Sequence, residues 1–263
     1  MKPCPSPCGD LECLKGCYMN KRVISWFSCG AASAVATKLA IAESKHPVEV
    51  VYCHVKEEHP DNMRFMKDCE KWFGQPITIL QNETYNGSIY EVFEKRKYIV
   101  GVAGAPCTRL LKKEVRQKYE RPNDIQVFGY TIEEEDRVDR FIDANNDVTL
   151  WSILLEKKLN KSDCLAIIQR AGIELPAMYK LGYQNNNCIG CVKGGMGYWN
   201  KIRVDFPEAF DRMAKLEKTI GAKILKSKGE RIWLEDLPKD AGHYPTEQAI
   251  ECGIFCQMAE ENI

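Results

Sequence analysis

The chain has 263 residues, 44% hydrophobic and 28% charged, which excludes a disordered or fibrous protein and leaves room for one large α/β domain. Lys plus Arg and Asp plus Glu each total 37, so the formal net charge is zero. A dedicated nucleic-acid binder carries a basic excess; this balance favours small substrates while allowing a local basic groove. The opening MKPCPSPCGD has no apolar signal core, and no apolar run approaches the roughly 20 residues of a membrane helix. A cytoplasmic protein with no membrane partner is the expectation. Thirteen cysteines in a reducing compartment, an odd number, point to metal ligation or thiol chemistry rather than a disulfide framework.

Residues 1–20 read as a Pro- and Cys-rich arm holding Cys4, Cys8, Cys13 and Cys17. Four thiols in so short a span suggest a small metal site, zinc being the candidate, although their spacing differs from that of zinc ribbons. They are also able to serve thiols elsewhere in the chain. RVISWFS then predicts a strand running into the small-residue loop SCGAAS and the helix ASAVATKLAIAES. VEVVYCHV predicts a second strand, PDNMRFMKDCEKWFG an amphipathic helix, and ITIL a third strand. SIYEVFEKRKY and CTRLLKKEVRQKY predict helices, and DIQVFGY a fourth strand ending at Gly129. This alternation implies a parallel sheet with helices on both faces, whose ligands sit beyond the carboxyl ends of the strands near a topological switch point.

Beyond residue 150 the pattern becomes helical. SDCLAIIQRAGI, capped by Ser162 or Asn160, and PEAFDRMAKLEKTIGA predict helices on either side of the irregular loop NNNCIGCVKGGMG. AKILKSKGERIWLEDL predicts a hairpin, and the last 25 residues look like loop. Tyr198 and Trp199, after that irregular loop, are candidates either to stack a base or to anchor a helix on the sheet. The expected organisation is an arm (1–20), an α/β nucleotide-binding domain (21–205), and a helical extension with hairpin and Cys-bearing tail (206–263).

SCGAAS sets Ser28, Gly30 and Ser33 between a strand and a helix N-terminus, where backbone N–H groups and the helix dipole favour an anion. A tight turn of small residues would read the same way. Cys188 and Cys191 form C-I-G-C beside glycines, a spacing that turns two thiolates toward one metal centre or makes a redox pair. Cys107, in APCTRLLK, precedes an expected helix, whose N-terminal field would favour thiolate.

Together these segments resemble the sulfonucleotide-reductase branch of the adenine-nucleotide α-hydrolase (PP-loop) superfamily. Ser28, Gly30 and Ser33 match the loop pattern S-G-G-x-D-S, with Cys29 replacing its first glycine and Ala32 its aspartate. Glu58, Pro60 and Asp61 are similar to the family's E-x-P-x-T region, and Gly129, Glu134 and Arg137 to its G-I-R-x-x-E-S-x-x-R segment. The resemblance implies a Rossmann-like PP-loop fold and an adenylyl-sulfate substrate bound by Ser28, Gly30, Ser33, Glu58, Gly129 and Arg137. Cys107, Cys188 and Cys191 match three ligands of the family's [4Fe–4S] form, while Pro106 stands at the position of a fourth.

Glu251, Cys252 and Gly253 reproduce the family's E-C-G tail, with Ile254 and Phe255 where it has leucine and histidine. The resemblance implies that Cys252 is the nucleophile attacking sulfur. A second thiol then releases sulfite, either Cys256 or one brought by a thioredoxin-like reductant. His59, beside Glu58, is a further candidate at the site. Two other readings stay open. One is an ATP-dependent sulfur transferase acting on a nucleic-acid base, favoured by three cluster ligands. The other is a non-catalytic nucleotide-binding relative.

Overall fold

The computed structural model describes residues 21–101, 104–227, 229–245, 258–261 and 263. At its centre, β1 (Val23–Phe27) is buried along its whole length, as a strand covered on both faces must be. It pairs in parallel with β2 (Val48–Cys53) on one side and β4 (Ile125–Val127) on the other. β3 (Ile77–Leu80) and β5 (Thr149–Trp151) complete a five-stranded parallel sheet in the order β3-β2-β1-β4-β5. The expected Rossmann-like α/β architecture is the one observed. β5 was not expected: TLW is too short for any alternation to show.

The helices cover the sheet in the expected way. α1 (Ala31–Glu43) buries a face of small residues, among them Ala31, Ala34 and Ala36, which lets it lie close on the sheet. α2 (Asn62–Phe73) buries Phe65, Met66, Cys69 and Phe73, and ends at Gly74 with φ 73°. α3 (Ile89–Arg96) is capped by Ser88, whose Oγ accepts from the Glu91 amide. The next segment differs from the single regular helix expected. Thr108–Lys113 is a π turn leading into α4 (Glu114–Tyr119), and the adjacent Leu110 and Leu111 are both buried there.

After α5 (Glu135–Ala144), α6 (Ile153–Glu156) and β5 comes α7 (Lys161–Arg170). Its cap is Asn160: Asn160 Oδ1 accepts from the Asp163 amide at 2.8 Å, and the Asp163 carboxylate accepts from the Asn160 amide at 3.0 Å. α8 (Ala177–Lys180), α9 (Met196–Asp205) and α10 (Pro207–Ile220) follow, then the hairpin β6 (Leu225–Ser227) and β7 (Glu230–Ile232). The fully buried Glu217 carboxylate accepts from the Ile224 and Leu234 amides at 2.6 and 2.7 Å, tying the hairpin segment to α10.

One core lies between the sheet and α1, α2 and α7. A second gathers Phe93, Leu110, Tyr183, Trp199, Met213 and Leu234, drawing on both sides of residue 205. At the amino end of the sheet, Arg22 clamps three strands: it bonds Asp124 at 2.9 and 3.1 Å, pairs with Glu49, and donates to the Tyr119 carbonyl. That end is closed by structural ion pairs, leaving the carboxyl ends for chemistry. No helix among the described residues is long and apolar enough to cross a membrane.

Candidate functional site

From β1 the chain moves outward through β2 and β3, then returns to the other side of β1 as β4 and β5. The two halves part between β1 and β4, the switch point where such sheets bind ligands. A cavity of about 510 Å³ opens there, large enough for a nucleotide. Ser28, Gly30, Ala32 and Ser33 line it from the β1–α1 loop, and Gly129, Tyr130 and Thr131 from the end of β4.

The loop is closed by one hydroxyl. Ser33 Oγ accepts from the Ser28 amide and the Ser28 hydroxyl, both at 3.0 Å, and lies 2.9 Å from the Gly30 carbonyl, which accepts from it. Cys29 takes a left-handed φ of 55° with its side chain wholly buried, and its carbonyl accepts from Asn186 Nδ2 at 2.6 Å. α1 then starts without a side-chain cap and with no acid in its first turn, so the positive end of its dipole meets the cavity wall. Gly129 is required by a close approach: a Cβ there would stand 2.5 Å from the Ser33 nitrogen and 2.7 Å from its Cα.

Among the described residues, the cavity wall carries Lys112, Lys113, Arg116, Arg137 and Lys161 against one acid, Glu134. Arg137, largely exposed, pairs with Glu134 at 2.5 Å and lies over the Tyr130 ring. The zero net charge of the chain thus conceals a basic cleft. The sequence singles out Arg137 among these five cations; Lys112, Lys113, Arg116 and Lys161 carry no local signal that places them at the site.

Glu58 does not line this cavity. Its carboxylate is buried beneath the wall, where Tyr52 and Asn62 Nδ2 donate to Oε2 at 2.5 and 3.1 Å and Lys112 Nζ stands 2.9 Å from Oε1. Burial disfavours the Lys112 ammonium, yet the nearby Glu58 carboxylate outweighs it and the lysine pKa is raised, so the lysine keeps its charge. Glu58 therefore anchors a cation that reaches the cavity. Asn62 Oδ1 accepts from Asn186, which joins this network to the Cys29 carbonyl. Asp61 turns away to Arg64 and the Ala177 amide. His59 Nδ1 accepts from the Asp61 amide and its ring packs edge-on to Phe206, so it too is off the cavity wall.

Cys107, Cys188 and Cys191 pack against the second core, near Lys112. The C-I-G-C turn is fastened at several points. Ile189 N donates to the Glu57 carbonyl at 2.8 Å, Cys191 N donates to the Tyr198 hydroxyl at 2.9 Å, and that hydroxyl donates to the Cys188 carbonyl at 3.2 Å. Gly190 takes a φ of 74°, with Trp199 directly beneath it. Tyr198 and Trp199 are thus buried supports of the cysteine turn, and neither offers a face to a base.

Cys107 is not the low-pKa thiol expected. Burial pushes Cys107 up, and so does the neighbouring Cys191, against weaker opposing effects from Lys193, the Thr108 amide and Lys112. Cys107 does sit at the start of the π turn, at φ −58° and ψ −39°, but burial outweighs what that position offers a thiolate. Burial raises Cys188 further. Among the described residues, no three Cys, His, Asp or Glu side chains are grouped to hold a metal ion, so the three thiols share a neighbourhood without forming a closed ligand set. Cys53, at the end of β2, lines the cavity with its thiol pushed up to about 11 by burial. Cys252, Cys256 and the arm's Cys4, Cys8, Cys13 and Cys17 lie outside the described residues.

No family model matches the chain, and no curated protein does. Among solved structures, it is similar to a phosphoadenylyl-sulfate (PAPS) reductase from Candida auris determined in a phosphate complex. The identity is 14%, over 67% of this chain and 86% of that one, with a TM-score of 0.46.

Proposed function

We propose that this chain is a sulfonucleotide-reductase-like enzyme that takes sulfite from an adenylyl sulfate, whether or not the nucleotide carries a further phosphate. The observation that carries the reading is the switch-point cavity. There an uncapped helix start and a loop of small residues meet five basic side chains. Sulfate sulfur is a poor electrophile, so its reaction with a thiol needs its oxygens neutralised by fixed donors and cations, which this wall provides. The proposed nucleophile is the Cys252 thiolate. Its Sγ forms a bond to the sulfate sulfur as the sulfur–oxygen bond to the nucleotide breaks, and adenosine phosphate leaves with the electron pair. A second thiol, from Cys256 or a thioredoxin-like reductant, then attacks Cys252 Sγ. A disulfide forms, and sulfite leaves with the electrons that the two thiols supplied.

Anaerobic assay with adenylyl sulfate and a dithiol should release sulfite and adenosine phosphate in equal amounts. Pyrophosphate release from ATP, with no sulfite from adenylyl sulfate, would instead support the sulfur-transferase reading.

We further propose that Cys107, Cys188 and Cys191 hold an iron–sulfur cluster of the [4Fe–4S] type. Support comes from the packing of the three cysteines against one core and from a left-handed glycine that lets the C-I-G-C turn close. Bound there, a cluster would fix the two thiol-bearing loops together and set a charged group beside Lys112. An anaerobic preparation should contain about four irons per chain, and Cys188→Ser should lose them together with the visible absorption. Zinc without iron would sink this assignment. Zinc in addition to iron would support the second site proposed on Cys4, Cys8, Cys13 and Cys17.

A further inference from the structure

Beside the anion loop, the cavity wall also carries a group of rings. Phe128 and Tyr130 flank Gly129 with centroids 5.5 Å apart, and Phe141 of α5 lies 5.3 Å from Phe128 and 6.2 Å from Tyr130. Arg116 stands over Phe128 at 4.9 Å and over Phe141 at 5.6 Å, and Arg137 stands over Tyr130 at 4.9 Å. All five side chains line the cavity, and none is fully buried. Phosphate or sulfate oxygens have use for the two guanidinium groups but none for three rings. Ring faces and guanidinium planes together suit a flat, aromatic, weakly polar group, which enters as one more layer of the stack. Tyr198 and Trp199 are buried, and Tyr198 is committed to the cysteine turn.

The ring patch is also at the correct reach. Gly129, between two of the rings, packs its backbone against that of Ser33, so patch and anion loop are immediate neighbours on one wall. We propose that Phe128, Tyr130 and Phe141, with Arg116 and Arg137, form the seat of the purine base of the nucleotide whose phosphate groups occupy the Ser28–Ser33 loop. This inference rests on the adenylyl-sulfate reading and adds to it the part of the site that tells an adenine nucleotide from a bare sugar phosphate.

The test compares AMP with ribose 5-phosphate by calorimetry on the full chain and on Tyr130→Leu/Phe141→Leu. The unsubstituted chain should prefer AMP by at least about tenfold, in keeping with the worth of base–aromatic stacking. The double variant should bind the two ligands within about twofold of each other while its ribose 5-phosphate affinity stays unchanged, which also shows an intact fold and loop. If circular dichroism shows the double variant unfolded, Tyr130→Leu alone serves: AMP should weaken by at least about threefold and ribose 5-phosphate not at all. A preference for AMP that survives the substitutions, or one absent from the unsubstituted chain, overturns the base seat and leaves the adenylyl-sulfate reading standing. If the unsubstituted chain binds neither ligand, both fall together.

Discussion

Cys252→Ser should bind adenylyl sulfate as the unsubstituted chain does and release no sulfite, a fall of roughly 10⁴-fold or more if Cys252 is the attacking group. The reason is nucleophilicity: a thiol with an ordinary pKa of about 8.5 is partly thiolate near neutral pH, whereas a serine hydroxyl is not ionised. The described cavity wall contains cations but no thiol of low pKa. Burial raises Cys53, the cysteine on that wall, which suits it to packing rather than attack. A nucleophile brought by another segment is therefore consistent with this cavity, and the E-C-G tail is the segment proposed to bring it. Cys256→Ser should be milder, trapping the S-sulfonate if Cys256 is the resolving thiol. Sulfite release measured against nucleotide binding separates these outcomes, and full activity in Cys252→Ser would remove the reductase reading.

Gly129→Ala should abolish nucleotide binding while Gly74→Ala leaves it untouched. A methyl at Gly129 overlaps the Ser33 backbone at 2.5 and 2.7 Å, and backbone at the start of α1 has little room to retreat without opening the anion loop. A Cβ at Gly74 meets nothing within 4 Å, so that variant bears only the strain of a φ of 73°, about 1 kcal/mol. The expected result at Gly129 is at least a hundredfold loss of AMP affinity, together with a stability loss of roughly 2–4 kcal/mol in urea unfolding. Equal behaviour of the two variants would mean that the close approach of β4 to α1 does not shape the site.

The sheet was legible because β1 to β4 are apolar runs separated by helical periods, and SCGAAS was legible because small residues between strand and helix have few other uses. What stayed hidden depended on three-dimensional convergence. Lys112 and Arg116 belong to CTRLLKKEVRQKY, which reads simply as a helix and gives no sign that its cations reach the cavity. Glu58 resembled a ligand-binding acid, yet Tyr52, Asn62 and Lys112 already satisfy it. Tyr198 read either as a base-stacking ring or as a helix anchor, because the sequence does not reveal that its hydroxyl closes the C-I-G-C turn. Phe128, Tyr130 and Phe141 went unnoticed since a strand end and a charged helix gave no sign of meeting. At Cys107 the local rule of helix N-termini was outweighed by burial, a property of the whole fold.

The most direct test of the account is a single turnover without reductant, followed by intact-mass and peptide analysis of the protein. Mixed anaerobically with adenylyl sulfate, the chain should acquire one sulfonate, on the peptide containing Cys252, as one equivalent of adenosine phosphate appears. Nucleotide bound in full with no sulfonate on any cysteine would contradict the proposed chemistry.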